Sequence, residues 1–345
     1  MAKKEESTNY GALLSELRAR GPQRLYLLWG PEDYLREQFL AALKKACLPE
    51  GEDDFSYKRL NGPELDALQL RNAMDSVPFL SERTLVEVRG ADLNRIKEHA
   101  AETIGALLAD VPDYCTVVFV QDSSYEPDGR LKLVKSIRKC GKDLKFTAQQ
   151  ESSLVSWVQK RFAAAGKTID ADAARHLIFV SGALMNRLIP EIDKLSAYAA
   201  GERVTREDIE AVASHIPEAR AFEMTDRLAA RDNDAAARIL AELLADRDND
   251  PIPLLAVLGG QMRRLYVARL AQEQGLGRKF VADYSGVKFD FLVDKLMAAA
   301  RGFTLPRLRR AVELCCETDY AMKSTGADNA ALLTDALLRI AAGET

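Results

Sequence analysis

The sequence predicts an α/β domain built on a parallel five-stranded sheet, then a small helical domain, then a larger all-helical bundle. Three observations carry this expectation. Short apolar runs at residues 25–29, 55–60, 84–88, 115–120 and 144–146 alternate with helical patterns such as Tyr34, Phe39, Leu40 and Leu43. Strands alternating with helices indicate a parallel sheet covered on both faces. The first run passes through Gly30 into a helix start, the way a phosphate-binding loop opens. From about residue 148 the apolar residues recur at helical spacing to the end of the chain.

Taken in order, Tyr10, Leu13, Leu14 and Leu17 predict a first helix that Gly21-Pro22 ends. The stretch Leu25-Tyr-Leu-Leu-Trp-Gly-Pro-Glu-Asp-Tyr-Leu-Arg-Glu37 follows, and the chain is arranged around it. A working phosphate loop reads Gly-x-x-x-x-Gly-Lys-[Ser/Thr]. Counted from Gly30, the second glycine is Leu35, the lysine is Arg36 and the hydroxyl residue is Glu37. Leu35 puts a Cβ where backbone must wrap closely around phosphate. Glu37 puts a carboxylate where a hydroxyl would hold magnesium, and it repels a triphosphate. The expectation is a nucleotide-binding scaffold that no longer binds nucleotide.

The strand ends support that expectation. Ligands on such sheets bind beyond the carboxyl ends of the strands, where Gly30 lies. A magnesium-holding strand would close on Asp-Glu, but the third run ends Glu87-Val-Arg-Gly90, with Asp92 beyond it as a helix N-cap. The fourth ends Val120-Gln-Asp-Ser-Ser124, a polar sensor or a plain loop. Without the lysine, hydroxyl and acidic pair, hydrolysis has no electrostatic machinery, and no catalytic residue is assigned.

Before the third strand lies Met74-Asp-Ser-Val-Pro-Phe-Leu-Ser-Glu-Arg-Thr84. Pro78 breaks any helix and presets an extended or turn conformation. Phe79 and Leu80 follow, and pattern alone leaves two readings level: a staple under the sheet, or an exposed apolar knob for a partner's pocket. Residues 130–145 carry seven basic side chains against one acidic. Leu131, Val134 and Ile137 would face the core, leaving either a basic face that serves solubility or a phosphate-contacting patch.

Residues 148–216 read as a small helical domain. Its cues are Gly166, a cap at Asp170, Ser181-Gly182, Pro190 in the middle of a helix from Leu184, and a capping-box start at Thr205. Pro217 suggests a linker, and 217–345 reads as a bundle punctuated by Asp250-Pro-Ile-Pro253 and by Gly275 to Gly277. His99, His176 and His215 lack ligand-like spacing, so no metal site is assigned.

Composition bounds the rest. Of 345 residues 47% are hydrophobic and 29% charged, enough for two or three domains with sizeable cores. A net charge of −4 excludes a uniformly basic nucleic-acid coat but not a local patch. Five cysteines without a Cys-x-x-Cys pair, and no signal-peptide or membrane-length apolar run, predict buried thiols in a cytoplasmic protein. Met1 to Thr8 is polar and expected to fray.

This order of parts resembles the clamp-loader branch of AAA+ proteins, and within it the delta-subunit family of bacterial DNA polymerase III. The carrying residues are Leu27-Leu-Trp-Gly-Pro-Glu-Asp-Tyr-Leu35, Ser76-Val-Pro-Phe-Leu-Ser-Glu-Arg83, Glu191-Ile-Asp-Lys-Leu195, Phe222-Glu-Met-Thr-Asp226 and Met322-Lys-Ser-Thr-Gly326. The resemblance implies a RecA-like AAA+ domain over 1–147, a helical lid over 148–216 and a collar over 217–345. It implies a subunit that binds and opens the beta sliding clamp, taking up no cofactor and no ATP itself. Partners would be the tau/gamma and delta prime subunits in a hetero-pentamer, with primed DNA inside the assembly. Carried over by position, Val77, Pro78, Phe79 and Leu80 would enter the clamp's pocket, and Lys132, Lys135, Arg138 and Lys139 are DNA-contact candidates. In active relatives an arginine follows the lid glycine by three residues; from Gly182 that position is Met185. Two rival readings stand beside this one: an active ATPase with a divergent loop, and a DNA-binding scaffold.

Overall fold

The structure is a computed structural model that describes residues 9–48, 56–78, 81–287 and 289–343. The chain divides into two compact units, one spanning 1–158 with 183–193, the other 159–182 with 194–345. The segment 148–216, which the sequence presents as one helical domain, is shared between them.

The first unit runs α1 (Tyr10–Arg20), β1 (Leu25–Trp29), α2 (Asp33–Cys47), β2 (Tyr57–Asn61), α3 (Ala67–Met74), β3 (Thr84–Arg89), α4 (Glu98–Ala109), β4 (Cys115–Val120), α5 (Lys132–Cys140) and β5 (Lys142–Lys145). The five strands form one sheet in the order β2-β3-β4-β1-β5, parallel throughout. Every residue of β1 and β4 is buried, as expected of central strands flanked by helices on both faces. The edge strands β2 and β5 are only half-buried and carry Lys58, Arg59, Lys142 and Lys145, charges that discourage edge-to-edge pairing. Leu25, Leu27, Val88 and Phe119 pack on one face against α3, α4 and α5 through residues such as Met74, Ile104 and Val134. On the other face Phe39 of α2 meets Tyr26 and Phe146 with ring centroids 5.8 and 6.0 Å apart. Each such buried side chain contributes about 1.5–3 kcal/mol, so the sheet is the rigid frame on which both candidate sites sit.

Three local expectations change here. Asp92 caps no helix: its Oδ1 accepts from the Asn94 amide at 3.1 Å in a turn, and α4 starts only at Glu98. A short acidic side chain that bonds its own backbone two residues on favours turns as readily as caps. On α5 the buried residues are Leu133, Val134 and Ile137, and Leu131 is the half-buried N-cap. Finally, β5 begins two residues earlier than its apolar run, because an edge strand is set by pairing with β1 rather than by burial.

The chain continues through α6 (Glu151–Ala164), β6 (Thr168–Ile169), α7 (Ala171–Ser181), α8 (Met185–Tyr198), β7 (Arg203–Val204) and α9 (Arg206–Val212). Asp170 caps α7 by accepting from Ala173 N at 2.8 Å, and Thr205 with Asp208 forms a reciprocal capping box on α9. Helix α8 continues through Pro190, which removes one ladder bond without ending the helix. His176 and His215, far apart in sequence, both face Glu210, at 2.5 and 3.5 Å. Burial holds the His176 imidazole below its usual pKa despite that carboxylate.

The remaining helices are α10 (Pro217–Ala229), α11 (Asn233–Ala245), α12 (Pro251–Glu273), α13 (Arg278–Ser285), α14 (Asp290–Ala300), α15 (Leu305–Ser324) and α16 (Asn329–Ala342). Pro217 is not in a linker. It is the first residue of α10, as Pro251 is of α12, because a missing N–H costs nothing in a first helical turn. The long helices α12 and α15 form the spine of the bundle, with Leu258, Met262, Leu308 and Leu314 all but inaccessible. No helix among the described residues is long and apolar enough to cross a membrane.

Candidate functional site

The strand-to-helix turn after β1 has the shape of a phosphate loop but is occupied by its own side chains. Gly30 adopts φ +109°, and a Cβ there would lie 2.4 Å from the Phe146 carbonyl oxygen. The chain leaving β5 is hydrogen-bonded to this turn, Phe146 N donating to Trp29 O at 2.7 Å and Glu32 N to Phe146 O at 3.1 Å. Asp33 N turns back to Pro31 O at 3.1 Å. Amides that would cradle a phosphate in a working loop are therefore already bonded. A Gly30→Ala variant should unfold at lower urea, losing at least about 2 kcal/mol, since both the left-handed backbone and the contact forbid a side chain.

Each of the three altered positions has been put to structural use. Leu35 is buried in the floor of the turn. Arg36, at the lysine position, is 5% exposed and bends onto its own loop, Nη1 donating to Gly30 O at 2.6 Å and Nη2 to the Asp33 carboxylate. Glu37, at the hydroxyl position, accepts from both terminal nitrogens of Arg89 at 2.9 Å each, a bidentate pair. Arg89 also reaches Glu87 through Nε, and the hydrogen bonds it donates to its two carboxylate partners, Glu37 above all, raise its pKa.

Glu87 is the fully buried acid on the strand where a magnesium-holding pair would stand. Tyr57 OH donates to its Oε2 at 2.7 Å, and Lys44 Nζ lies 3.1 Å from the same oxygen. Burial would push this carboxyl up, but Tyr57, Arg89 and Lys44 together hold it below the ordinary value. The acid is neutralised by internal cations, not held open for a metal.

One residue of the turn is invisible to the motif template. Glu32 is fully buried; its Oε2 accepts from Met185 N at 3.3 Å, and its Oε1 has no hydrogen-bond partner among the described residues. Burial pushes the carboxyl up to about 7. Asn186 Nδ2 lies 3.4 Å from Asp33 Oδ2, and Trp157 meets Tyr34 edge-to-face at 5.7 Å. The start of α8 is thus anchored to the turn by Glu32, and Met185 is the residue at the position where the resemblance placed a missing arginine. The available signal was an acid next to Gly30-Pro31 ahead of an apolar helix face; motif templates ignore that position.

The second site lies at the other end of the same sheet. Residues 75–83 enter β3 at its amino end, whereas Gly30 leaves β1 at its carboxyl end, and the two strands run parallel. Five- and six-residue strands put about 17–20 Å between these edges. Ala73 and Met74 bury the end of α3, and Thr84 Oγ1 donates to Ser76 O at 2.7 Å, so the described flanks are tied to the domain. Val77 is 68% exposed, and Pro78 is half-buried. Phe79 and Leu80 lie outside the described residues.

The family profile described as "DNA polymerase III, delta subunit" matches residues 26–147, and "DNA polymerase III delta subunit, C-terminal domain" matches 218–340. The chain belongs to the DNA polymerase III delta-subunit family. It is 26% identical over 324 residues to "DNA polymerase III subunit delta" of Bacillus subtilis, covering 92% of each chain. It is 24% identical over 329 residues to "Probable DNA polymerase III subunit delta" of Aquifex aeolicus, covering 91% of this chain and 90% of that one. Among solved structures, the Bacillus subtilis DNA clamp loader delta protein shares the fold, with a TM-score of 0.53 at 23% identity over 96% of this chain and 99% of that one. As a delta-family chain the protein is a DNA polymerase III subunit and takes part in DNA replication.

In this delta-family chain all four basic DNA-contact candidates lie on α5, but they are not alike. Lys132 Nζ is held by Glu98 and Glu102 of α4 at 3.1 and 3.0 Å, and Arg138 Nε by Asp143 at 2.5 Å. Lys135 and Lys139 are exposed. The basic stretch is thus partly neutralised by acids from α4 and β5, those of α4 far away in sequence.

Proposed function

We propose that this delta-family chain binds and opens the beta sliding clamp for loading onto primed DNA, taking up no nucleotide itself. The observation that carries this reading is the occupied loop: Arg36 on the Gly30 carbonyl and Glu37 on Arg89 fill the places a triphosphate and its magnesium would need. Energy from ATP then comes from other subunits of the hetero-pentamer with tau/gamma and delta prime, assembled through the helical bundle over 217–345.

The working end is the segment Val77, Pro78, Phe79 and Leu80. The 68% exposure of Val77 and the tie from Thr84 to Ser76 on its flank support this reading. An aromatic–aliphatic pair entering a pocket is the kind of anchor that dominates protein interfaces. Insertion favours an opened ring only through higher affinity for that state than for the closed one. The exposed Lys135 and Lys139, with Lys132 and Arg138 beside them, form the face that meets DNA phosphates within the loader.

The deciding experiment is co-elution of the purified chain with the sliding clamp. The double variant Phe79→Ala/Leu80→Ala should keep its unfolding midpoint and lose about 100-fold or more in clamp affinity, as truncated anchors do. Retained affinity would move the clamp contact elsewhere. Calorimetry with ATP and magnesium should give no heat of binding; tight uptake would instead favour the active-ATPase reading.

A further inference from the structure

The four cations of α5 do not meet a phosphate backbone on equal terms. Lys132, Lys135, Arg138 and Lys139 are all exposed, and Lys135 stands three or four residues from each of the others, so they share one face. Lys135 and Lys139 form no ion pair among the described residues. Lys132 Nζ, by contrast, sits between Glu98 and Glu102, four residues apart on α4, at 3.1 and 3.0 Å. Arg138 Nε donates to Asp143 Oδ2 at 2.5 Å, while Oδ1 of the same carboxylate accepts from Trp29 Nε1. Asp143 lies on β5 opposite Leu27 of β1, so this acid is fixed to the sheet.

Holding α4 on α5 does not need these acids. Ile104, Leu108, Leu133 and Ile137 already join the two helices in one apolar core. Lys132, Glu98 and Glu102 are each more than half exposed, and such pairs contribute little to stability. What they change is charge. A cation paired with a carboxylate must break that pair before it can neutralise a phosphate, and Lys132 between two glutamates forms a net negative group. We propose that Glu98, Glu102 and Asp143 are selectivity residues that limit the DNA contact of α5 to the phosphates met by Lys135 and Lys139. The inference rests on the reading of α5 as the DNA-facing helix. A free chain of this kind holds DNA loosely and does not coat it, in keeping with a net charge of −4.

The test is fluorescence anisotropy of a labelled DNA duplex with a single-stranded overhang, titrated with the full-length chain at several salt concentrations. Each phosphate contact on duplex DNA lowers log affinity by about 0.9 per tenfold rise in salt, so wild type should show a slope of about −2. Glu98→Gln/Glu102→Gln/Asp143→Asn should steepen it to about −4 and bind at least fivefold or so tighter at low salt. Asparagine keeps an oxygen for Trp29 Nε1, and the unfolding midpoint should not move. Glu98→Gln/Glu102→Gln alone, which touches only exposed side chains, should steepen the slope by about one. Adding Lys132→Ala/Arg138→Ala to the triple variant should remove its gain. A gain that survives those alanines is a bulk charge effect and overturns the proposal, as does an unchanged slope in both acid-neutralised variants. Lys135→Ala/Lys139→Ala tells the two readings apart. No loss of wild-type affinity there takes α5 out of the DNA interface, and the inference with it. Loss there, with no gain from the neutralised acids, sinks the inference alone.

Discussion

Replacing Glu32 by Gln should make the protein more stable above neutral pH and leave it nearly unchanged below pH 5. In the folded chain the Glu32 carboxyl is fully buried, and burial raises its pKa from 4.5 to about 7. Folding therefore favours the protonated form. The stability this group contributes is fully present below pH 4.5 and is lost as pH rises through about 7. A tenfold change in a protonation equilibrium is worth about 1.36 kcal/mol, so the loss amounts to roughly 3 kcal/mol. Glutamine keeps the shape and an oxygen for the Met185 amide but carries no charge to bury. Urea unfolding at a series of pH values should give wild-type stability falling between pH 5 and 8, with the Gln variant flat by comparison. A variant that tracked wild type across that range would mean Glu32 is ionised and solvated in the folded chain.

The sheet is legible in the sequence because central parallel strands buried on both faces must be apolar throughout, as residues 25–29 and 115–120 are. The loss of the phosphate loop is legible for a similar reason: Leu35, Arg36 and Glu37 each break a template whose chemistry is strict. What those residues do instead is not. The partner of Glu37 is Arg89, 52 positions away, and Glu98 and Glu102 reach Lys132 across at least 30 positions. Charge pairs of that span leave no periodicity. The same limit hides the shared Glu210 between His176 and His215, and it makes the basic stretch at 130–145 look freer than it is. Helix starts at Pro217 and Pro251 read as punctuation because a proline that ends one helix and a proline that begins the next are the same letter. Only the preceding cap tells them apart, and Asp250 is such a cue, its Oδ1 accepting from the Ile252 amide.

Restoring the phosphate-loop letters should damage the protein without reviving it. A Leu35→Gly/Arg36→Lys/Glu37→Thr chain reads as an intact motif from Gly30 onward. Yet Leu35 is buried, so its removal opens a cavity costing about 2–5 kcal/mol, and glycine within the first turns of α2 costs about 1 kcal/mol more. Lysine cannot reproduce the Arg36 fork that spans the Gly30 carbonyl and Asp33. Threonine leaves Arg89 with Glu87 alone and removes the bidentate pair. The unfolding temperature should fall by about 10 °C for roughly 4 kcal/mol lost in a domain of this size. Calorimetry with ATP and magnesium should still show no binding, because the Glu32 and Asp33 amides remain bonded within the turn and the Glu32 carboxyl remains beside it. Thermal melts and the titration separate the two halves of this expectation. An unchanged melting temperature would mean that Arg36 and Glu37 hold nothing together. Recovered ATP binding would mean that the turn has kept its capacity for phosphate and that only three side chains stand in its way.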